Sequence, residues 1–565
     1  MKLIRIALLS VIVFVSNTIF ASAQNLHLIA EGTNNTETLV IDSIGYKNLF
    51  KNYNALEKEI YGLQTKLIKS GFIESALSLT RKIDDTTYHA KFSLKKKFYT
   101  IYIYYNKNEV PKQVLETVSD AVTPEYFITT IQESEHVLNL INTKVSENGQ
   151  PFTSLKLINL KKKDDNNLQA NLVISNTKKR TVDKIIIKGY EKFPKPYLRH
   201  FLKIKQGDDF DLNSIKEKTE ALNALSFSNR IKPPEVLFTQ DSTNLYLYLE
   251  KTKANTFDGF LGFGTNETTN KIEFDGYLNL TLINNLNYGE SFNLIYKSDE
   301  NEQKTFNVNL NLPYLFGSAV GSELSLNIIK RDSTYTIIDQ TANLFYQING
   351  KQKVYAGITT IQSNDLLNEN QSLLIQDYNA FYFNFKYQFI KYQFNNLLFP
   401  INFIFDAKTG LGTREFGNSK ERQTILSVNT HKIINLNKKN SVFLRVQSQG
   451  IISNTYLTNE LFRFGGINSI RGFEENSLLA SFYAVLNTEY RYNLSQSIYL
   501  HSIIDGAYFE NKLTNQKEKL FGFGFGFGLI TKAGLLKFNY ANGKSENQRF
   551  KLSDSKIHIS LNAKF

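Results

Sequence analysis

Leu520-Phe521-Gly522-Phe523-Gly524-Phe525-Gly526-Phe527-Gly528 alternates strictly between a large apolar residue and one with no side chain. A period of two is the period of a β-strand, whose successive side chains leave on opposite faces. One face of this strand is therefore continuously aromatic and the other is bare. The run contains G-x-G spacings, but no strand-to-helix context surrounds them, so a phosphate-binding loop is not expected. Glycines on an inner face, opposite phenylalanines turned to lipid, account for the pattern.

The same alternation extends towards the N-terminus. Phe306, Val308, Leu310 and Leu312 alternate with Asn307, Asn309 and Asn311; Leu324, Leu326 and Ile328 repeat the pattern, as do Phe381, Phe383, Phe385 and Tyr387, then Ile401, Phe403 and Phe405. From residue 255 to residue 565 only the strand period occurs. The segment reads as about sixteen runs of ~9–14 residues separated by polar turns, an even number of the length a closed, tilted membrane barrel needs. The composition agrees: 43 Phe and 31 Tyr bring the aromatics to 13%, while the mean hydropathy is only −0.29. A barrel needs this combination because one residue in two faces lipid or its interface and the other faces water. Nine prolines and 30 glycines suit long strands and tight turns. The last strand places Ile557, Ile559, Leu561, Ala563 and Phe565 on one face and ends on the aromatic. Such an ending resembles the C-terminal strand by which outer-membrane barrels are recognised for insertion.

The N-terminus gives the compartment. Lys2 and Arg5 precede an apolar stretch from Ile6 to Val15, and Ala21-Ser22-Ala23 supplies a small-x-small cleavage site before Gln24. Residues 1–23 read as a secretory signal peptide. An exported chain without cysteine has neither a disulfide framework nor a thiolate metal site. The net charge of +13 points to anionic headgroups or acidic polypeptides, since an exported protein seldom meets nucleic acid.

Between residues 24 and 254 helical and strand periods alternate in three α+β units, at 24–105, 106–178 and 179–254. In the first, Leu56, Ile60, Leu63 and Leu67 form a helical stripe that Gly71 ends, followed by strand-like runs at 76–82, 88–94 and 98–105. In the second, Val137, Leu138, Ile141 and Val145 form the stripe, Gly149 ends it, and Leu168, Ala170, Leu172 and Ile174 alternate. The third has a strand at 182–188, a short helix at 198–202, a second helix carrying Ile215, Leu222 and Leu225, and strands near 236–238 and 245–249. A repeat of this kind signals an array of small modules.

One segment interrupts the barrel hairpins. Phe464-Gly465-Gly466-Ile467-Asn468-Ser469-Ile470-Arg471-Gly472-Phe473-Glu474 lies in a long loop between the eleventh and twelfth strand runs. An arginine on such a loop can fold into a wet lumen, where Glu489 and Asp505 on the next two strands would accept its guanidinium if they point inward. Gly465, Gly466 and Gly472 would let the loop turn sharply against the wall.

The segment resembles the (V/I)-R-G-(F/Y) loop of the BamA/TamA superfamily of outer-membrane assembly factors, which also includes two-partner secretion transporters. Glu489-Tyr490-Arg491 resembles that family's strand-twelve motif. Asp505 falls where the next strand carries Asp-x-Gly, although here the order is Asp505-Gly506-Ala507. The three preceding units resemble polypeptide-transport-associated (POTRA) domains, a layout similar to a TamA-like member. The resemblance implies α+β periplasmic repeats followed by an all-β, 16-stranded antiparallel transmembrane barrel in the cell outer membrane. It implies ATP-independent assembly, insertion or translocation of unfolded or partly folded client polypeptides. The bilayer is the first partner, and the resemblance leaves room for a periplasmic or inner-membrane partner protein. A transporter for one dedicated exoprotein is the alternative; it usually carries two POTRA units behind a plug helix. A solute channel is a more distant one.

The first barrel strand carries Gly259, Gly262 and Gly264 and is expected to meet the last strand at a seam weakened by glycine. The seven histidines are scattered without ligand spacing, and no G-x-S-x-G or marked acid pair occurs. No metal, cofactor or catalytic residue is expected, and the chain reads as a non-enzyme.

Overall fold

The computed structural model of the protein describes residues 25–147, 149–175, 178–265, 272–298, 303–331, 334–366, 375–394, 396, 398–531, 534–546 and 551–563; side chains at 260–275 and 561–563 lie outside that description. The expected signal peptide and Phe565 therefore fall outside the described residues.

The N-terminal region forms three small sheets. In the first, Leu26–Glu31 pairs in parallel with Thr87–Ser93, flanked by Leu49–Phe50 and Ala76–Lys82. The helix Tyr53–Lys69 covers it. Its N-cap Asn52 accepts the Ala55 N–H, and Leu56, Ile60, Leu63 and Leu67 are buried along one stripe. Gly71 follows at φ +104°, a conformation costly for any residue with a Cβ. The second sheet repeats the design: Thr100–Tyr104 runs parallel to Asn167–Ser175, with Tyr126–Thr130 and Ser154–Lys162 outside them and the helix Ser134–Ser146 burying Val137, Ile141 and Val145. This corrects the boundary read after residue 105. The strand assigned there to the end of the first unit opens the second sheet, because sheet membership is decided by pairing partners and not by periodicity. The helix Asn35–Ile44 was also absent from the sequence reading.

The third sheet orders Ser228–Phe238, Thr243–Lys251 and Lys184–Lys188, the last two parallel. Pro233 and Pro234 lie on the edge strand where its register shifts, a place that needs no ladder N–H. The expected short helix is a single π-helical turn, Tyr197–Phe201.

Residues up to Arg180, with Asp209–Asp211, make one compact unit; Thr181–Asp208 and the chain from Leu212 make the other. The third module thus groups with the barrel. Tyr190 and Tyr197 seat it on the barrel turns. Asn284 Nδ2 donates to the Tyr190 hydroxyl at 2.6 Å, and the Tyr197 hydroxyl donates to the Gly289 carbonyl at 3.2 Å. The Tyr197 ring meets Tyr314 edge-on at 4.7 Å. Gly289, at φ +80°, is required: a Cβ there would lie 2.3 Å from the Tyr197 ring. Burial pushes the Tyr197 hydroxyl up, so it remains a neutral donor.

The barrel is a 16-stranded antiparallel sheet in which each strand pairs with its chain neighbours, from Thr256–Thr265 to Ser555–Ala563. As described, its strands reach 17 residues, so some are longer than the sequence runs implied. Along Tyr378–Tyr392, Phe381, Phe383 and Phe385 are exposed while Ala380, Tyr382 and Asn384 are buried. In Gln516–Thr531 the four phenylalanines 521, 523, 525 and 527 are likewise outside. Ile557 and Ile559 share the outer face of the last strand. The first strand pairs with Ile272–Ile283, placing Gly259 opposite Leu278, Gly262 opposite Asp275 and Gly264 opposite Glu273. A Cβ at Gly259 would lie 2.5 Å from the Tyr277 carbonyl oxygen, which explains that glycine by close backbone approach. The expected pairing of the first strand with the last is not found: among the described residues no backbone ladder joins them.

Candidate functional site: the loop folded into the barrel

The eleventh barrel strand, Asn440–Ile452, and the twelfth, Phe482–Asn493, are joined by the longest connection between described neighbouring strands. It is ordered by its own two-stranded ribbon, Phe462–Phe464 with Leu478–Ala480. Between those strands the chain turns at Gly465 (φ +114°), Gly466 (φ +92°) and Gly472 (φ +91°). Each turn is also crowded. A Cβ on Gly465 would meet the Glu474 carbonyl oxygen at 2.5 Å, and one on Gly466 would collide with the Glu475 carboxylate.

Apolar contacts hold the ribbon against the inner wall. Phe464 stacks on Tyr483 with ring centroids 4.6 Å apart and meets Phe509 edge-on at 5.5 Å. Ile470 is fully buried in the same cluster, with Val485, Ala507 and Leu520, and Phe473 packs at its margin. This anchoring leaves Arg471 aimed at the wall.

The Arg471 guanidinium makes a fork with Asp505: Nε donates to Oδ2 at 2.7 Å and Nη2 to Oδ1 at 2.6 Å. The Arg471 backbone N–H donates to the same carboxylate at 3.1 Å, and Nη1 donates to Glu489 Oε1. Glu489 Oε2 in turn accepts from Arg491 Nε at 2.7 Å. The Arg491 guanidinium lies over the rings of Phe443 and Phe399, at 3.9 and 4.2 Å. All four charged residues are buried, with two cations matched to two carboxylates. The two carboxylates that accept from the Arg471 guanidinium compensate its charge where it is buried. A fork of this kind fixes direction as well as charge, which a lysine could not do.

The wall accommodates the loop by omitting side chains. A Cβ on Gly522 of the fourteenth strand would lie 2.4 Å from the Arg471 carbonyl oxygen, and one on Gly543 of the fifteenth would lie 2.5 Å from that of Gly472. The bare face of the opening glycine-phenylalanine run is thus, at Gly522, the surface on which the loop rests. The Gly472 N–H donates to His558 Nε2 on the last strand at 3.2 Å, and Glu474 pairs with Lys556 at 2.8 Å. Two further bonds fasten the tip: Asn487 Nδ2 to the Ser469 carbonyl at 2.7 Å and Arg445 Nη1 to that of Asn468 at 2.9 Å.

The structure therefore brings together Gly465, Gly466, Ile470, Arg471, Gly472, Phe473, Glu489 and Asp505. It leaves Gly259, Gly262 and Gly264 on a strand remote in sequence from them, and Ile557 and Ile559 on the outer surface. Sequence reasoning missed the wall glycines as a seat for the loop, the stacking of Arg491, and Arg445 and His558. Inward parity along their strands was the available signal. Among the described residues no group of three or more His, Cys, Asp or Glu side chains is placed to hold a metal ion.

The comparisons with known proteins bear on this fold. Residues 279–565 match the model of the Omp85 superfamily domain. The solved structure of CdiB from Acinetobacter baumannii is similar at 16% identity and a TM-score of 0.51, over 90% of this chain and 97% of that one. CdiB from Escherichia coli is similar at 13% identity and a TM-score of 0.51, over 89% and 97%. BamA from Haemophilus ducreyi lacking POTRA domains 1–3 aligns at 13% identity and a TM-score of 0.47, over 81% and 97%. No curated protein matches the chain. The family match covers the barrel from its second strand to the last residue, including the loop and both acidic partners of Arg471, and the protein belongs to the Omp85 superfamily of outer-membrane barrel proteins.

Proposed function

We propose that this protein inserts or assembles client polypeptides in the bacterial outer membrane without nucleotide hydrolysis, with its α+β modules in the periplasm receiving the client. The supporting observation is the loop itself. A channel for solutes gains nothing from a lumen occupied by an ordered ribbon fastened through a buried four-charge cluster. A barrel that must stay closed between clients does. In this reading Arg471 is the lock, Asp505 and Glu489 are its keeper, and the glycines are the hinge and seat. Three α+β units, where a transporter dedicated to one exoprotein usually has two, favour the assembly reading.

The edge at which a client strand would join is that of the first strand, Thr256–Thr265, which among the described residues makes no backbone ladder to the last, Ser555–Ala563. A client would add to it by β-augmentation. A cysteine pair clamping these two strands, in a chain that has no cysteine of its own, should abolish activity under oxidation and restore it on reduction. A clamped protein that works normally removes the seam. Depletion of the protein followed by an outer-membrane protein profile tests the function: other barrel proteins should fall in abundance. Loss of one secreted protein alone would instead support the dedicated transporter.

A further inference from the structure

Arg471 accounts for the tip of the loop but not for its arm, the stretch from Ser453 to Leu461 that leads into the ribbon. The arm lies on a different part of the wall, and among the described residues its side-chain hydrogen bonds involve Arg414, Glu421, Gln423, Ser363 and Gln376 rather than the Arg471 cluster. At their centre is Arg414, on the ninth strand Ile401–Phe416, with no exposed surface at all.

We propose that Arg414 is a second, independent latch, which grips Glu460 and positions the arm of the loop while Arg471 positions its tip. The inference rests on the reading of this loop as the element that keeps the lumen closed.

The geometry is that of a built site. Arg414 Nη1 donates to Glu460 Oε1 at 2.7 Å; Nη2 donates to Thr455 Oγ1 at 2.6 Å and to Glu421 Oε2 at 3.1 Å. The guanidinium plane lies 4.5 Å from the Phe416 ring. Glu460 is held in turn: Oε1 accepts the Leu457 N–H at 2.8 Å, and Oε2 accepts from Gln423 Nε2 at 3.1 Å. Gln423 is oriented by the Tyr382 hydroxyl, which donates to its Oε1 at 2.6 Å. Beside this cluster Leu457 is buried against Tyr378, Ala380 and Tyr382. Asn459 Nδ2 donates to Ser363 Oγ and to the Gln376 carbonyl, both at 2.8 Å.

Polarity distinguishes the two latches. At the tip the loop supplies the cation and the wall the carboxylates; at the arm the wall supplies the cation and the loop a carboxylate. Neither can exchange partners with the other without placing like charges together. A buried guanidinium between two carboxylates is also no cheaper than an apolar cluster of the same size, so its presence argues for directed placement and not for bulk stability. Removing Arg414 would leave the buried Glu460 and the part-exposed Glu421 without their shared cation, which should eject the arm. The tip would keep its own fork. The lumen would then open fully only when both latches are released.

The chain has no cysteine, so single probes can be read directly. Leu457→Cys reports the arm and Ile470→Cys the tip, each in the full-length protein in outer-membrane vesicles, by its rate of reaction with a bulky, membrane-impermeant maleimide. Arg414→Gln should accelerate labelling of the arm probe about tenfold or more and leave the tip probe within about twofold; Arg471→Gln should do the reverse. Glu460→Gln, which keeps the side-chain shape, should act on the arm in the same direction and decides the matter if Arg414→Gln fails to insert. An arm probe that does not respond to either variant overturns the second latch and leaves the Arg471 reading standing. A tip probe indifferent to Arg471→Gln overturns that reading instead. Exposure of both probes by Arg414→Gln would show a single latch and defeat the proposal.

Discussion

The α+β modules and the barrel use the same amino acids in opposite directions. In the module helix Tyr53–Lys69 the apolar stripe points inward, Leu63 has no exposed surface, and charge stays outside. In the barrel Phe383 is 57% exposed, while Arg414, Arg471, Glu489 and Asp505 are buried. Water is the solvent for the first region and lipid for the outer face of the second, so the side that must be polar changes. The difference teaches that burial is no guide to polarity across this chain. A buried leucine in a module is core, whereas a buried arginine in the barrel is a charge held by buried carboxylates.

The comparison can be broken at four points, in falling order of expected effect. Leu63→Asp would place an unpaired carboxylate in the first module core and cost about 5 kcal/mol or more. Limited proteolysis should then degrade the N-terminal unit and leave a barrel that still shifts on heating in a gel. Asp505→Ala would strip the fork from Arg471 and cost the loop about 3–5 kcal/mol of local stability. External protease should cut between residues 461 and 480 in that variant only. Phe383→Lys would put a charge on the lipid face, at about 2–4 kcal/mol if the site lies at the bilayer midplane. Reversible unfolding in lipid should show that loss, and Phe383→Leu should not. Lys69→Ala removes an exposed ion pair with Glu135 and should leave the melting of the module unchanged. An Asp505 effect no larger than that of Lys69 would erase the distinction between buried and exposed charge.

Much of this was open to reading in the chain itself, for physical reasons. Strand alternation is local, so the barrel could be traced from Phe381-x-Phe383-x-Phe385 and the glycine-phenylalanine run without any partner being known. Arg471, Glu489 and Asp505 could be named together because a loop motif and two strand motifs flank one another in sequence. Arg414 could not. It sits in Thr413-Arg414-Glu415-Phe416, a stretch with no motif, and its partners come from the next strand and from a loop 46 residues away. Only the register of the ninth and tenth strands, with Arg414 opposite Glu421, brings them together. The strand Thr100–Tyr104 was misplaced for the same reason, since its neighbours at 126–130 and 167–171 are distant in sequence. The acceptance of the loop by Gly522 and Gly543 was equally hidden: a glycine shows that a side chain is missing but not what occupies its place.

The central claim is that the buried charge of the loop serves polypeptide handling and not the folding of the barrel. It is tested most directly by replacing the native copy with Arg471→Ala and measuring two quantities in the same outer-membrane preparation: the heat-modifiable, inserted fraction of this protein, and the abundance of the other barrel proteins. The account predicts a normal inserted fraction with the other barrel proteins depleted. Normal levels of both would contradict it.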